Sequence, residues 1–97
     1  MLILKTLARC GPLHGYGIAK YILQVTDEVL RVEEGSLYPA LQRMLIKGWV
    51  KAEWVQSGPK RRARVYRLTP AGRKQLSVEV SEYSRVNGAI ARVIQPA

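Results

Sequence analysis

The side chains of one segment, residues 36–47, are of types that hydrogen-bond to nucleic acid. In a helix, which turns by about 100° per residue, the polar residues of this segment lie on one side, with Tyr38 beside them. They are Ser36, Gln42, Arg43 and Lys47, and Pro39 lies among them. Glutamine can form two hydrogen bonds with adenine and arginine with guanine, while hydroxyl groups suit phosphates. The pattern therefore predicts a helix face that contacts DNA. The alternative is an ordinary solvated face.

The opposite side of this segment is apolar, which predicts that it packs on a core. Its members are Leu37, Ala40, Leu41, Met44 and Leu45. We predict Ser36 as the N-cap, because its hydroxyl can accept from the unpaired amides of the first turn, where Pro39 is tolerated. Gly48 is predicted to end the helix, which thus spans residues 36–48.

A second candidate contact region is a basic run that contains no acidic residue. Its members are Lys60, Arg61, Arg62, Arg64 and Arg67. The preceding Gly58-Pro59 pair predicts a turn between β-favouring stretches at residues 50–55 and 64–68. The resulting β-hairpin has a basic wing, residues 56–64, which could lie on the phosphate backbone or enter a minor groove. In the alternative interpretation, Arg64 and Arg67 lie along the sheet and stabilise it.

A further amphipathic helix is predicted over residues 14–25. Tyr16 at its start could contact a phosphate or pack against the protein, and Lys20 lies opposite the apolar stripe and joins the predicted DNA contacts. His14 is the only histidine, which excludes a multi-histidine metal site, and we expect it to hydrogen-bond at the helix start.

The remaining apolar residues are assigned to elements by their spacing. Residues 1–10 predict a first helix, which Gly11-Pro12 ends. Because its apolar pattern is already running at residue 2, either the helix frays at its start or further residues precede it. Cys10 is predicted to be a buried core thiol. Trp54 alternates with Val50 and Ala52 and is predicted to lie in the core, whereas Trp49 could lie on either side.

A long final helix is predicted to begin at Thr69-Pro70. Apolar residues recur along it at spacings of three or four: Leu76, Val80, Tyr83, Val86, Ile90 and Val93. Because this stripe is longer than its own domain can cover, we expect it to form the interface of a homodimer. The alternative is packing within one chain.

The order of these elements predicts a mainly α fold with a small β-hairpin, a winged helix-turn-helix at residues 1–69 followed by a dimerisation helix at residues 70–97. In this arrangement the third helix enters the major groove of DNA. Sixteen Lys and Arg against seven Asp and Glu give a net charge of +9, which favours a polyanionic partner. The apolar runs are too short to cross a membrane, and a single cysteine excludes an internal disulfide, so a cytoplasmic protein is expected.

Four stretches of the chain resemble the PadR family of bacterial transcriptional regulators, of the short type with a single C-terminal helix. They are GPLHGYGIAK at 11–20, EEGSLYPALQRM at 33–44, GWVKAEW at 48–54 and RRARVYRLTPAGRKQL at 61–76. The resemblance implies a homodimeric winged-helix protein that binds double-stranded DNA and usually represses, with derepression by a small molecule in some members. It implies DNA contacts at Tyr16, Ser36, Tyr38, Gln42 and residues 60–62, and dimerisation through the last helix.

Two departures from the family pattern carry further expectations. Members commonly have a stretch before the first helix, and here it is absent or cut off. Some members bind flat aromatic drugs between tryptophans at the dimer interface, and the final helix here has none. A small-molecule effector is therefore left unassigned.

Two other functions compete with this interpretation. A nucleoid or RNA-binding protein that is indifferent to sequence would use the charge equally well. We expect this chain to lack the exposed aromatic stacking platform that is typical of a single-strand binder. An enzyme is disfavoured, because one histidine, one cysteine and two adjacent carboxylate pairs in polar turns do not supply a nucleophile, base and orienting group. No cofactor or metal is expected.

Overall fold

Helices and a three-stranded antiparallel sheet make up the structure, a computed structural model that describes residues 1–96. The elements in chain order are α1 (Leu2–Cys10), β1 (Leu13–His14), α2 (Gly15–Val25), α3 (Glu34–Ile46), β2 (Val50–Gly58), β3 (Arg61–Leu68) and α4 (Pro70–Ile94). This order is a winged helix-turn-helix with a long C-terminal helix, which confirms the predicted fold class. Over this range, no helix combines the length and apolarity needed to span a membrane.

The core lies between the first three helices, the base of the hairpin and the first turns of α4. Leu4, Ile18 and Leu41 are fully enclosed, and Val50 and Tyr66 close the core from the sheet. The predicted apolar side of α3 is confirmed, because Leu37 and Leu41 are buried and Ala40, Met44 and Leu45 pack against the core. The opposite side of α3 is left exposed.

The start of α2 is held by a side-chain cap and by a short strand. The Nδ1 atom of His14 accepts a hydrogen bond from the Gly17 amide at 2.9 Å, which confirms its expected role at the helix start. The strand β1 pairs with β3 through Leu13 opposite Tyr66 and His14 opposite Val65. Two residues are too few to show an alternating pattern, so the sequence did not predict this strand.

The start of α3 differs from the sequence prediction. The helix begins at Glu34 with Glu33 in the N-cap position, and no side chain caps it. Ser36 is therefore the third residue of the helix, and its amide donates to the Glu33 carbonyl at 3.0 Å. The prediction of Ser36 as N-cap was wrong, because a glutamate in the first turn suits the helix dipole and allows an earlier start.

Pro39 consequently lies in the second turn of α3, and the helix continues through it. Because proline has no amide hydrogen, the carbonyl of Gly35 loses the hydrogen bond that residue 39 would otherwise donate. Gly35 is exposed, so water can donate to this carbonyl instead. At the other end, Gly48 adopts a left-handed φ of 75°. The Trp49 amide donates to the Met44 carbonyl at 2.9 Å. The predicted end at Gly48 is confirmed.

The hairpin strands are longer than predicted. β2 runs to Gly58 and β3 begins at Arg61, so only Pro59 and Lys60 form the turn. The strands stay paired beyond Val55 because a bulge between Gln56 and Gly58 absorbs Ser57. Arg61 therefore belongs to a strand rather than to the tip.

Two residues predicted to be buried are exposed. Trp54 is 59% exposed because the core ends one pair earlier, where Ala52 lies opposite Tyr66. Cys10 is exposed because it is the last residue of α1, where no neighbouring element covers the helix. The alternation rule correctly assigned Trp54 to a face of the sheet, but it could not show how far the core extends along that face.

The first turn of α4 is fixed against the loop that precedes β2. Thr69 is the predicted N-cap, and its hydroxyl accepts from the Gly72 amide at 3.0 Å while lying 2.6 Å from the Gly48 carbonyl. Gly72 lies directly against the Trp49 carbonyl, and Leu76 is buried in the core. Leu76 was predicted as an interface residue, and the structure corrects this because its own chain already covers it.

Beyond Glu79, whose Oε1 atom accepts a hydrogen bond from the Met1 amino group at 3.1 Å, α4 leaves the body of the domain. The described residues extend 62 Å along one axis and 29 and 22 Å along the others. All the remaining members of the predicted stripe are exposed: Val80, Tyr83, Val86, Ile90 and Val93. Residue 97, the last of the predicted dimerisation helix, lies outside the described residues.

Candidate nucleic-acid interface

The exposed side of α3 carries the polar residues that the sequence predicts there. Gln42, Arg43 and Lys47 are exposed, on the side opposite the fully buried Leu41. Ser36 and Pro39 are exposed at the N-terminal end of the same helix. The Nζ atom of Lys47 lies 5.2 Å from the centre of the Trp49 ring, so this side chain folds back towards the start of β2.

Three predicted contact residues from three different elements meet at one recess. Tyr16 at the start of α2, Tyr38 of α3 and Arg64 of β3 line it, together with His14 and Tyr66. All three side chains carry hydrogen-bond donors suited to phosphate oxygens, two hydroxyls and a guanidinium. The recess therefore brings two hydroxyl-bearing side chains and one guanidinium, from three different elements, to one place on the surface.

A close contact between backbone and ring sets the place of Tyr38. A Cβ atom on Gly15 would lie 2.9 Å from both the Cε1 atom and the hydroxyl oxygen of Tyr38. Only glycine therefore allows the tyrosine ring to lie against the first residue of α2. This role of Gly15 was not predicted from the sequence, in which the Gly-Tyr-Gly stretch at residues 15–17 was the available signal.

A second groove, which shares Tyr16 and Tyr38 with the recess, contains Lys20. Its charged lining residues are Lys20, Arg31, Glu33 and Glu34. Lys20 is exposed, and its ammonium group can reach solvent beside the start of α3. The side of α2 that bears Lys20 is thus continuous with the recess through the two tyrosines.

The arginines of the hairpin differ in what holds them. The Nη2 atom of Arg67 donates to the Glu53 Oε1 atom at 2.7 Å, so this residue stabilises the sheet, as the alternative interpretation predicted. The guanidinium of Arg64 lies 5.7 Å from the centre of the Tyr66 ring, and that of Arg62 lies 5.6 Å from the Trp54 ring. Lys60 at the turn and Arg61 at the start of β3 are exposed.

The fold and the arrangement of this surface are those of a winged helix-turn-helix protein. Residues 3–78 match the sequence model of the Transcriptional regulator PadR-like family, and the chain belongs to this family. The resemblance noted from the sequence is thereby confirmed. Members of this family are transcriptional regulators and not enzymes.

Individual proteins show the same likeness. The chain is 42% identical over 90 residues to an uncharacterized 37.1 kDa protein in transposon TN4556 of Streptomyces fradiae, covering 93% of this chain and 24% of that protein. It therefore spans about a quarter of the length of this relative. A transcriptional regulator from Clostridium thermocellum superposes with a TM-score of 0.88 at 30% identity, covering 97% of this chain and 90% of that one.

A second similar structure contains nucleic acid. Bacillus subtilis PadR in complex with operator DNA superposes with a TM-score of 0.72 at 26% identity, and the match covers 81% of this chain and 44% of that one.

Proposed function

We propose that this protein is a sequence-specific DNA-binding repressor that binds a two-fold symmetric operator as a homodimer. In this proposal residues 1–69 bind DNA and residues 70–97 are the dimerisation segment, whose helix is α4. The observation that carries the proposal is the meeting of Tyr16, Tyr38 and Arg64 at one recess beside the exposed side of α3. The operator complex of Bacillus subtilis PadR supports it, as a structure of a similar protein.

The proposed reading element is α3. The major groove of B-DNA is about 12 Å wide and admits a helix. Gln42 and Arg43 project away from the core and would contact base edges, while Ser36, Pro39 and Lys47 would lie near the backbone. Repression follows if such a dimer occupies a site that the transcription machinery needs.

The proposed positioning contacts come from the recess and the wing. Tyr16, Tyr38 and Lys20 would bind phosphates beside the start of α3, and the basic wing would lie on the neighbouring backbone or in a minor groove. Contacts of this kind fix the register of the protein on the duplex without selecting its sequence.

The proposed dimer interface is the exposed part of the α4 stripe. A single winged helix reaches few base pairs, and a two-fold pair doubles the contacts and fixes the spacing of the half-sites. Tyr83 and Ile90 are more than half exposed although they continue the face that Leu76 buries. Burial of these side chains by a second chain would remove that apolar surface from water.

Stoichiometry on DNA tests the proposal. Sedimentation of the protein with a fluorescent duplex enriched from a random pool should give a complex of two chains per duplex, with no stable complex of one chain. A complex that grows continuously with protein concentration and duplex length would contradict it.

The second candidate function is binding of nucleic acid without sequence preference. The structure favours it in one respect that the sequence did not predict, because Tyr16 and Trp54 are exposed and could stack on unpaired bases. Competition by single-stranded DNA or RNA as effective as that by the enriched duplex would support this second function.

A further inference from the structure

One face of the hairpin, here called the inner face, continues the core side of the sheet beyond the core. Cross-strand pairs on this face are Ala52 with Tyr66, then Trp54 with Arg64, then Gln56 with Arg62. Only the first of these pairs covers the core, because Tyr66 is buried while Trp54 is exposed. The inner face therefore presents an aromatic ring and two arginines on the side where Arg64 meets Tyr16 and Tyr38.

Each arginine on the inner face lies over an aromatic ring. The Arg62 guanidinium is 5.6 Å from the centre of the Trp54 ring, and the Arg64 guanidinium is 5.7 Å from that of Tyr66. Both distances are within the range of a cation–π interaction, for which tryptophan is the most effective ring. The contact restricts the guanidinium and thereby lowers the entropy lost when it binds a partner.

One arginine on the outer face of the same hairpin, Arg67, is held differently. Arg67 is paired with the Glu53 carboxylate at 2.7 Å, which orients it and also neutralises its charge. Within residues 1–96, the ion pairs involve neither Arg62 nor Arg64. An aromatic ring orients a cation without supplying a negative charge. The positive charges of Arg62 and Arg64 on the inner face are therefore not neutralised and can attract a polyanion.

We propose that Trp54 is a positioning residue of the DNA interface, whose indole ring holds the Arg62 guanidinium ready to bind a backbone phosphate of the duplex. This inference rests on the proposed function. It adds Trp54 to the DNA interface, although the alternation of side chains along the strand predicted that Trp54 lies in the core. It also separates the basic residues of the wing into two classes. Arg62 is held in place before DNA arrives, whereas Lys60 at the turn lies over no aromatic ring of the described residues.

The test is a double-mutant cycle measured by fluorescence anisotropy on an enriched duplex. Trp54→Ala should weaken binding about two- to fivefold for each protomer, the equivalent of one exposed cation–π interaction. Arg62→Ala should weaken it further, and Trp54→Ala combined with Arg62→Ala should bind no more weakly than Arg62→Ala alone. Trp54→Phe retains a ring and should keep most of the affinity.

Val55→Ala is the matched control, because this neighbouring side chain lies on the outer face of the same strand. It should leave the affinity unchanged. A second readout needs no DNA: Arg62→Ala should alter the tryptophan emission of the free protein and should not do so in a Trp54→Phe background. Thermal melts of each variant show whether the hairpin and core remain folded.

The outcomes separate this inference from the function on which it rests. The positioning role would be overturned if Trp54→Ala left the affinity unchanged. It would also be overturned if the losses from Trp54→Ala and Arg62→Ala multiplied in the double variant. In both cases the proposed function would stand, because the wild-type protein would still bind the duplex. A wild-type protein that binds no duplex would overturn both.

Discussion

Tyr38 owes its position to a glycine on another helix, which makes Gly15→Ala a specific probe of the recess. The added Cβ would lie 2.9 Å from the ring, so Tyr38, which is about half exposed, must swing outward. We expect a small change in folding stability, because alanine is the better helix former. Affinity for operator and scrambled duplexes should fall by a similar factor of about five, the value of one hydrogen bond.

Anisotropy titrations measure this effect, and Tyr38→Phe is the control that removes the hydroxyl alone. If Gly15→Ala binds both duplexes like the wild type, the position of Tyr38 has no part in DNA binding.

Gln42 is the residue whose loss should change selectivity rather than general affinity. If it contacts a base edge, Gln42→Ala should cost about 1 to 3 kcal/mol per half-site on the operator and leave binding to scrambled duplexes nearly unchanged. The side chain is exposed, so the melting temperature should hardly move. Titrations on the two duplexes provide the measurement.

Ser36→Ala is the comparison for Gln42→Ala on the same helix. Because Ser36 is not the N-cap, its replacement should cost less than about 0.5 kcal/mol of folding stability. Any loss of affinity should be shared by both duplexes. Equal losses on both duplexes for Gln42→Ala would show that this side of α3 positions the protein without reading bases.

At the scale of elements, the sequence predicted what periodicity and turn chemistry determine. The buried side of α3, its end at Gly48 and the cap of α4 at Thr69 all follow local rules, and the structure confirms them. Two features depended on packing between distant residues: the two-residue strand β1, which pairs with β3, and the exposure of Trp54. Local spacing does not contain that information.

The approach of α4 to the loop before β2 depends on one glycine. A Cβ atom on Gly72 would lie 2.0 Å from the Trp49 carbonyl oxygen, and backbone cannot move aside as a side chain can. Gly72→Ala should therefore lower the free energy of unfolding by about 1 to 3 kcal/mol or more. Urea denaturation followed by circular dichroism measures the loss.

Gly88 in the same helix is the control for Gly72. The nearest atom to its added Cβ is the Nη1 atom of Arg92 at 3.8 Å, so alanine fits there. Gly88→Ala should raise stability by about 0.5 to 1 kcal/mol through helix propensity. A Gly72→Ala protein as stable as the wild type would mean that α4 does not pack as described.

At the scale of the whole molecule, the exposed stripe of α4 predicts the oligomeric state. Ile90→Glu places a charge in the proposed interface, where burial without a partner is costly, and should convert the dimer into a monomer. Sedimentation equilibrium at tens of micromolar measures this. Val78→Glu, an exposed position of α4 outside the predicted stripe, should remain dimeric.

A wild-type protein that is monomeric at these concentrations would contradict the proposed interface. A dimer that survives Ile90→Glu would show that chains pair through another surface. Either result would remove the basis for a two-fold symmetric operator.

Selection of binding sites from a pool of random duplexes tests the central claim most directly. A two-fold dimer that reads bases with α3 should enrich an inverted repeat whose half-sites are separated by about one helical turn, roughly 10 base pairs. The enriched duplex should bind at least about a thousandfold more tightly than its scrambled counterpart at physiological salt. A pool that yields no consensus, with binding that depends on salt alone, would contradict the account.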